Sequence, residues 1–238
     1  MTKEKGIILE GVYLELLNII AQWKIIDMPT LQELCSFKMK LPNFLNKVRL
    51  LERDGYIKGT LLGRKHKYVY LSDKGIKHTP YDHSYEIGDE SFMHDLITGK
   101  VLRELLTFSN FKNGRMFHQI SEEGVFPDAM IEAERNGRQY TLAIEVELTQ
   151  KASNRVKEKF ARYTTDKRFN FCLYITNKAQ LYRAYQHYLQ EMSVSVREKI
   201  VLLLDKNLSA KNFNFLDSEC FYLKNGLKFV ELFGDHKL

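Results

Sequence analysis

The chain has 238 residues and a mass of 28.0 kDa, which suits one large domain or two small ones. Hydrophobic residues make up 44% of it and aromatic residues 12%, so the composition excludes an intrinsically disordered protein. No apolar run approaches the ~20 residues of a transmembrane helix. The cysteines, Cys35, Cys172 and Cys220, lack the spacing of a zinc ribbon or a disulfide framework. We therefore expect a soluble, cytoplasmic protein with no membrane partner.

The formal net charge of +6 belongs entirely to the first third of the chain. Residues 1–80 contain 14 Lys and Arg against 8 Asp and Glu, whereas residues 81–238 contain 22 of each kind. A basic module beside a neutral one favours binding to a polyanion such as nucleic acid. A solvated charged surface is the alternative explanation.

The first 78 residues predict a small domain of three helices followed by a basic hairpin. Thr30 and Glu33 have the spacing of a capping box for the second helix, and Pro42 fits the first turn of the third. Alternating apolar residues then predict two strands around a tight turn. The predicted helices cover residues 10–23, 31–36 and 42–53, and the strands cover residues 56–61 and 67–71.

This order is that of a winged helix-turn-helix, and the segments at residues 50–57 and 70–75 resemble bacterial winged-helix regulators. The resemblance implies that the third helix enters the major groove of duplex DNA and that the wing touches its backbone. Some winged helices instead dock proteins. The DNA-binding candidates are Lys40, Asn43, Asn46, Lys47 and Arg49 around the third helix, and Arg64 and Lys65 at the wing tip.

A polar, proline-broken linker at residues 79–89 separates this domain from a second one at residues 90–238. Asn136-Gly137 and Asn225-Gly226 each lie between alternating segments and predict two-residue hairpin turns. His94, in the first predicted helix, is interpreted as a surface or satisfied residue. The predicted helices cover residues 90–108, 152–163 and 179–190, and the strands cover residues 115–120, 128–135, 138–149, 169–176, 200–204, 221–224 and 227–230.

The Asn136-Gly137 turn would set carboxylates side by side. If Arg135 pairs with Arg138, then Asp128 lies opposite Glu145, and Glu147 shares the face of Glu145. Like charges so placed need compensation by a bound cation, a nearby basic side chain or a raised pKa. Mg²⁺ or Mn²⁺ is the cofactor that such a cluster predicts. The alternative interpretation is a solvent-exposed face of the sheet on which these carboxylates simply remain hydrated.

Pro127-Asp128, followed after sixteen residues by Glu145-Val146-Glu147, resembles the PD-(D/E)XK nuclease-like superfamily over about residues 90–205. The resemblance implies a mixed α+β or α/β fold, a restriction-endonuclease-like domain following the winged helix. It also implies that Asp128 and Glu145 bind metal. The usual third residue is Lys, whereas this chain has Glu147, which would be a further ligand or a base. Lys151 is a candidate substitute for the lysine.

The whole arrangement also resembles the replication-relaxation family of plasmids and other mobile elements. The features that carry this resemblance are the winged helix, Phe126-Pro127-Asp128, the acidic strand and the helix ending in the segment 159–163. It implies a DNA-binding accessory protein of replication or mobilisation, with double-stranded DNA and a replication protein or relaxase as partners. A metal-dependent endonuclease and a winged-helix transcriptional regulator are the alternatives. The sequence leaves open whether the chain forms a homodimer.

Overall fold

The computed structural model describes residues 6–63, 66–80, 89–117 and 124–233. The chain divides into two compact units, Met1–Asp89 and Glu90–Leu238. Residues 81–88, most of the predicted linker, lie outside the described residues. Among the helices of the described residues, none has the length and apolar character needed to cross a membrane. All three cysteines are free and buried.

The N-terminal unit combines helices with a small antiparallel sheet. The predicted three helices and hairpin are confirmed, and the structure adds a short first strand and a final helical turn. The strands lie in the order β1-β3-β2. The elements are α1 (Val12–Trp23), β1 (Ile25–Asp27), α2 (Met28–Leu34), α3 (Leu41–Arg53), β2 (Ile57–Leu62), β3 (His66–Leu71) and α4 (Asp73–Ile76).

The start of α2 corrects one local prediction. The helix begins at Met28, and Asp27 caps it, because an Asp27 Oδ1 accepts a hydrogen bond of 2.8 Å from the backbone N–H of Thr30. Pro29 lies in the first turn, where a missing N–H costs nothing. The predicted cap at Thr30 is therefore wrong, and Thr30 is a buried residue inside the helix.

The C-terminal unit is built on a seven-stranded mixed sheet in the order β10-β9-β8-β7-β6-β5-β4. Strands β6, β7 and β8 run parallel to one another, and the remaining neighbours are antiparallel. The predicted mixed α+β class is confirmed. The elements are α5 (Asp89–Leu105), β4 (Phe111–Met116), β5 (Ala129–Arg135), β6 (Arg138–Val146), α6 (Ser153–Thr165), β7 (Phe171–Thr176), α7 (Ala179–Glu191), α8 (Val194–Arg197), β8 (Ile200–Leu204), β9 (Glu219–Tyr222), β10 (Asn225–Lys228) and α9 (Phe229–Phe233).

The hairpin between β5 and β6 has the predicted two-residue turn. Arg135 pairs with Arg138, and the same register continues to the pair of Ala129 with Ile144. Asn136 and Gly137 both have positive φ, 53° and 74°, as a type I′ turn requires. This register fixes which side chains of β6 share a face of the sheet.

The two faces of the sheet carry different cores. On the face of Ala143, helices α6 and α7 contribute rings such as Phe160 and Tyr185 to a buried cluster with Tyr174 of β7. On the opposite face, Phe108 contacts Phe229 of α9, with ring centroids 5.5 Å apart. The central strands β7 and β8 are therefore covered on both sides, whereas β4 and β5 at the edge have exposed residues along their length.

The turn of the C-terminal hairpin lies two residues earlier in the chain than predicted. Tyr222 pairs with Asn225, and the turn is formed by Leu223 and Lys224, which both have positive φ. Phe229, predicted in a strand, instead starts helix α9, where it is fully buried and packs 4.7 Å from the ring of Phe215. Burial of this aromatic side chain outweighs the local turn preference of Asn225-Gly226.

Candidate functional site

Asp128 and Glu145 meet at the end of the β5–β6 ladder. Asp128 directly precedes β5, and its backbone N–H donates to the carbonyl of Ile144 at 3.0 Å. Its Oδ2 accepts a hydrogen bond of 2.7 Å from the backbone N–H of Val146. Glu145 is the penultimate residue of β6. The turn register thus brings these two predicted residues to one end of the sheet.

Glu145 is the buried centre of the site, with 4% of its surface exposed. Its Oε2 accepts a hydrogen bond of 2.6 Å from Nζ of Lys159, and its Oε1 accepts one from the hydroxyl of Tyr163. Lys159 and Tyr163 are four residues apart, so α6 presents both on the same side. Burial, followed by the charge of Asp128, raises the pKa of Glu145 to about 7, although Lys159 and Tyr163 oppose the rise.

Asp128 is paired with His94 of α5. The imidazole Nε2 lies 3.4 Å from Asp128 Oδ2 and 2.8 Å from the carbonyl oxygen of Val146. Burial disfavours a charged imidazole, but hydrogen bonds to Asp128 and Asp95 more than compensate and raise the pKa of His94 to about 11. Burial likewise opposes the charge of Asp128, yet His94 holds its pKa below the ordinary value. The two side chains form an imidazolium–carboxylate pair at neutral pH.

Glu147 and Lys151 form a third, looser pair. Lys151 Nζ lies 3.7 Å from Glu147 Oε1, and the Glu147 backbone N–H donates to the carbonyl of Ile175 at 2.8 Å. Burial raises the pKa of Glu147. Lys151, predicted as a substitute for the usual lysine, therefore contacts Glu147, and the ammonium that reaches Glu145 belongs to Lys159.

The arrangement does not fit a divalent ion without rearrangement. His94 Nε2 lies between the Asp128 carboxylate and the Val146 carbonyl, two oxygens that a hard cation would otherwise use. Lys159 and Tyr163 engage both oxygens of Glu145. Within the described ranges, no group of three or more His, Cys, Asp or Glu side chains is placed to hold a metal ion. Basic side chains of the protein thus compensate the three carboxylates, which is one of the expected forms of compensation, and metal binding by Asp128, Glu145 and Glu147 stays a prediction.

The predicted DNA-binding residues of the N-terminal unit differ in exposure. Lys47 is half-buried, and its Nζ lies 4.6 Å from the centre of the Tyr13 ring, so part of its charge is directed at α1. Arg64 and Lys65 lie outside the described residues. The exposed candidates are Lys40, Asn43, Asn46 and Arg49.

We call the surroundings of Asp128 and Glu145 the acid site. The sequence did not reveal three of its residues: His94, Lys159 and Tyr163. His94 is interpreted from the sequence as a surface or satisfied residue, and its partner, Asp128, is distant in sequence. Lys159 belongs to a basic stripe of α6, and Tyr163 fits the apolar stripe beside it. Their i, i+4 spacing directly after an acidic strand was the available signal.

Lys159→Met tests the buried ion pair. The variant should lower the free energy of unfolding by about 2 kcal/mol near pH 8, because Glu145 then loses its cation. This is below the cost for a fully buried pair, since the Lys159 side chain is 36% exposed. Lys157→Met, on the same helix, removes an exposed pair with Glu191 and should cost less than about 1 kcal/mol. Equal losses in urea unfolding would contradict the assignment.

Glu145→Gln tests the raised pKa of Glu145. Because the folded-state pKa of about 7 exceeds the ordinary 4.5, ionisation of Glu145 costs the folded protein stability as the pH rises through that interval. Gln cannot ionise. The melting temperature of the variant relative to the wild type should therefore increase from about pH 5 to about pH 8, whatever constant loss follows from the contact with Lys159.

Glu134→Gln, at an exposed position of β5, is the matched control for this pH series. A melting-temperature difference for Glu145→Gln that decreases with rising pH would show that the carboxylate is better stabilised as an anion than the geometry implies.

Comparisons with known proteins identify no family for the chain. No protein-family model matches it, and no curated protein matches it. Among solved structures, two weak neighbours are the restriction endonuclease FokI, with a TM-score of 0.26, and FokI bound to DNA, with a TM-score of 0.25. Both are 12% identical and align with 74% and 73% of this chain. The chain spans only 39% and 40% of those FokI chains, and so weak a likeness identifies no residue here as catalytic.

Proposed function

We propose that this protein binds duplex DNA through its N-terminal unit, acting as a winged helix, and serves as an accessory factor in plasmid or mobile-element replication or mobilisation. The observation that carries the proposal is the exposed polar side of α3. Asn43, Asn46 and Arg49 recur every three residues on it, while Phe44, Val48 and Leu51 are buried on the other side. A helix anchored by one side and polar on the other can enter a major groove.

The chemistry of this helix side suits DNA. Asn can form paired hydrogen bonds with an adenine edge, and Arg can do so with guanine or bind a phosphate. The strands β2 and β3 form a hairpin that follows α3 in the chain, and Arg64 and Lys65 stand between the two strands in the sequence. The excess positive charge of the chain lies in this unit. These features support one element that reads bases and a second that contacts the backbone.

The C-terminal unit would act as a nuclease-like module that holds DNA or a replication protein or relaxase without requiring metal. The pairing of Asp128 with His94 and of Glu145 with Lys159 supports this proposal, because the two carboxylates are neutralised by the protein itself. The resemblance of Phe126-Pro127-Asp128 and the following acidic strand to the replication-relaxation family supports the mobile-element role.

Arg49→Glu tests the DNA-binding helix. The variant should weaken binding to a mixed-sequence duplex by about tenfold or more at ~0.1 M salt, because a phosphate or base contact is replaced by repulsion. Lys77→Glu is the charge-matched control, since Lys77 is exposed, lies outside α3 and the β2–β3 hairpin, and makes the same change in net charge. Fluorescence anisotropy over a salt series measures both affinities.

For the wild type, the logarithm of the association constant should fall linearly with the logarithm of the salt concentration, as release of counterions from DNA predicts. Equal losses of affinity in the two variants would show that α3 contributes only its positive charge and no specific contact with DNA. Undiminished binding by Arg49→Glu would remove α3 from the interface.

The second candidate function is a metal-dependent endonuclease. It is favoured by the ammonium of Lys159, which lies 2.6 Å from Glu145 at the strand end that also carries Asp128. Carboxylates and a lysine at one place are the side chains that the PD-(D/E)XK resemblance implies for cleavage. This function would require the ion pairs to open.

Supercoiled plasmid incubated with the protein and Mg²⁺ or Mn²⁺ separates the two candidates. The proposed accessory function predicts no nicking and no rise in melting temperature at millimolar metal, since a ligand stabilises a protein only if it binds the folded state. Nicking that Asp128→Asn abolishes and Glu134→Gln retains would establish the endonuclease instead. A metal-induced rise in melting temperature that Asp128→Asn removes would favour it as well.

A further inference from the structure

A cleft of about 970 Å³ opens in the C-terminal unit, far from the acid site. It lies where the parallel strands begin: Arg138 starts β6, Phe171 starts β7 and Val201 is the second residue of β8. Glu145, at the other end of β6, is seven residues from Arg138, which corresponds to about 23 Å along a strand. The cleft is therefore separate from the carboxylates, and its volume suits a small organic ligand.

The floor of the cleft is aromatic. Leu142 pairs with Phe171, so Phe171 shares its face of the sheet with Tyr140, two residues before Leu142. Glu145 is three residues after Leu142 on β6, so its side chain lies on the other face of the sheet. The rings of Tyr140 and Phe171 meet edge to face, with centroids 5.8 Å apart, and Tyr222 adds a third ring to the lining.

The rim of the cleft is cationic. Among the described residues, Arg135, Arg138 and Lys199 line it, together with one carboxylate, that of Glu231. Arg135 donates to the carbonyl of Leu232, and Lys199 donates to the carbonyl of Phe169 at 2.7 Å. Guanidinium and ammonium groups have five and three N–H donors, so both side chains keep donors for a ligand. Arg138 is exposed at the tip of the hairpin.

One buried polar group belongs to the lining of the cleft. The hydroxyl of Tyr140 is buried and has no hydrogen-bond partner among the described residues. Burial raises the pKa of Tyr140 to about 12, so the group remains a neutral donor at physiological pH. An unsatisfied buried hydroxyl is costly, and an acceptor on a bound ligand would remove that cost.

We propose that this cleft binds a nucleoside phosphate, either as a free nucleotide or as the phosphorylated end of a DNA strand. The aromatic floor would contact the base, since every nucleobase has a flat π-face that packs on aromatic rings. The cations at the rim would bind the phosphate, for which Arg provides paired N–H donors. The tyrosine hydroxyl would donate to the ligand. This inference depends neither on DNA binding by α3 nor on the acid site.

Isothermal titration of the full chain with dAMP and with inorganic phosphate tests the proposal. We expect dAMP to bind at least about tenfold more tightly than phosphate, since only dAMP contacts the rings. Arg138→Ala should weaken dAMP binding about tenfold by removing charge-assisted hydrogen bonds. Tyr140→Phe keeps the ring and should weaken binding without lowering the melting temperature. Arg183→Ala, exposed on α7 and outside the cleft, is the matched control.

The two ligand sources are separated with short single strands carrying or lacking a 5′-phosphate. Displacement of bound dAMP by the phosphorylated strand alone would assign the site to strand ends, and displacement by neither strand would assign it to free nucleotides. Competition with dAMP excludes signal from binding elsewhere on the protein. Equal affinities for phosphate and dAMP, no dAMP binding at millimolar concentration, or unchanged binding in Arg138→Ala would each overturn the proposal.

Discussion

The tight turn at Asn136 and Gly137 determines which face of the sheet each charged side chain of β5 and β6 occupies. Side chains alternate between faces along a strand, so a slip of one residue would move Glu145 from the α6 side to the opposite side. The turn also sets Asp128 beside the end of β6, where the Val146 amide holds its carboxylate. At the other end of the ladder, the same turn presents Arg135 and Arg138 to the cleft.

Compensation of buried negative charge is the second organising constraint. Two nearby carboxylates removed from water need positive partners, and a metal ion or basic side chains can supply them. In this chain the partners come from two different helices: His94 from α5 and Lys159 from α6. A cation that binds Asp128 or Glu145 must compete with a covalently attached partner already in hydrogen-bonding contact. The carboxylates are therefore already engaged by the protein itself, which is why we favour binding of DNA or a partner protein over DNA cleavage as the role of this unit.

Local patterns predicted the framework well, and long-range contacts explain what they left out. Apolar periodicity located most of the helices and strands, and the Asn-Gly turn yielded the register that joins Asp128 to Glu145. Periodicity could not reveal His94 as a partner, because that pair depends on how α5 packs across the sheet. The Asn225-Gly226 signal placed the C-terminal turn two residues too late, since neither Leu223 nor Lys224 favours positive φ in isolation. There, burial of Phe229 in a core built from distant segments decides the conformation.

The aromatic core on the α9 side has a consequence for how this unit folds. Phe108 precedes the sheet strands in sequence and Phe229 follows them, yet their rings are in contact. Closing so long a loop carries an entropic cost that is recovered only when both ends pack, and high contact order slows folding. The β5–β6 hairpin needs only neighbouring residues and can form early. We therefore expect the paired strands with the carboxylates to become ordered before the phenylalanine cluster closes, and His94 and Lys159 to reach those carboxylates only when α5 and α6 pack.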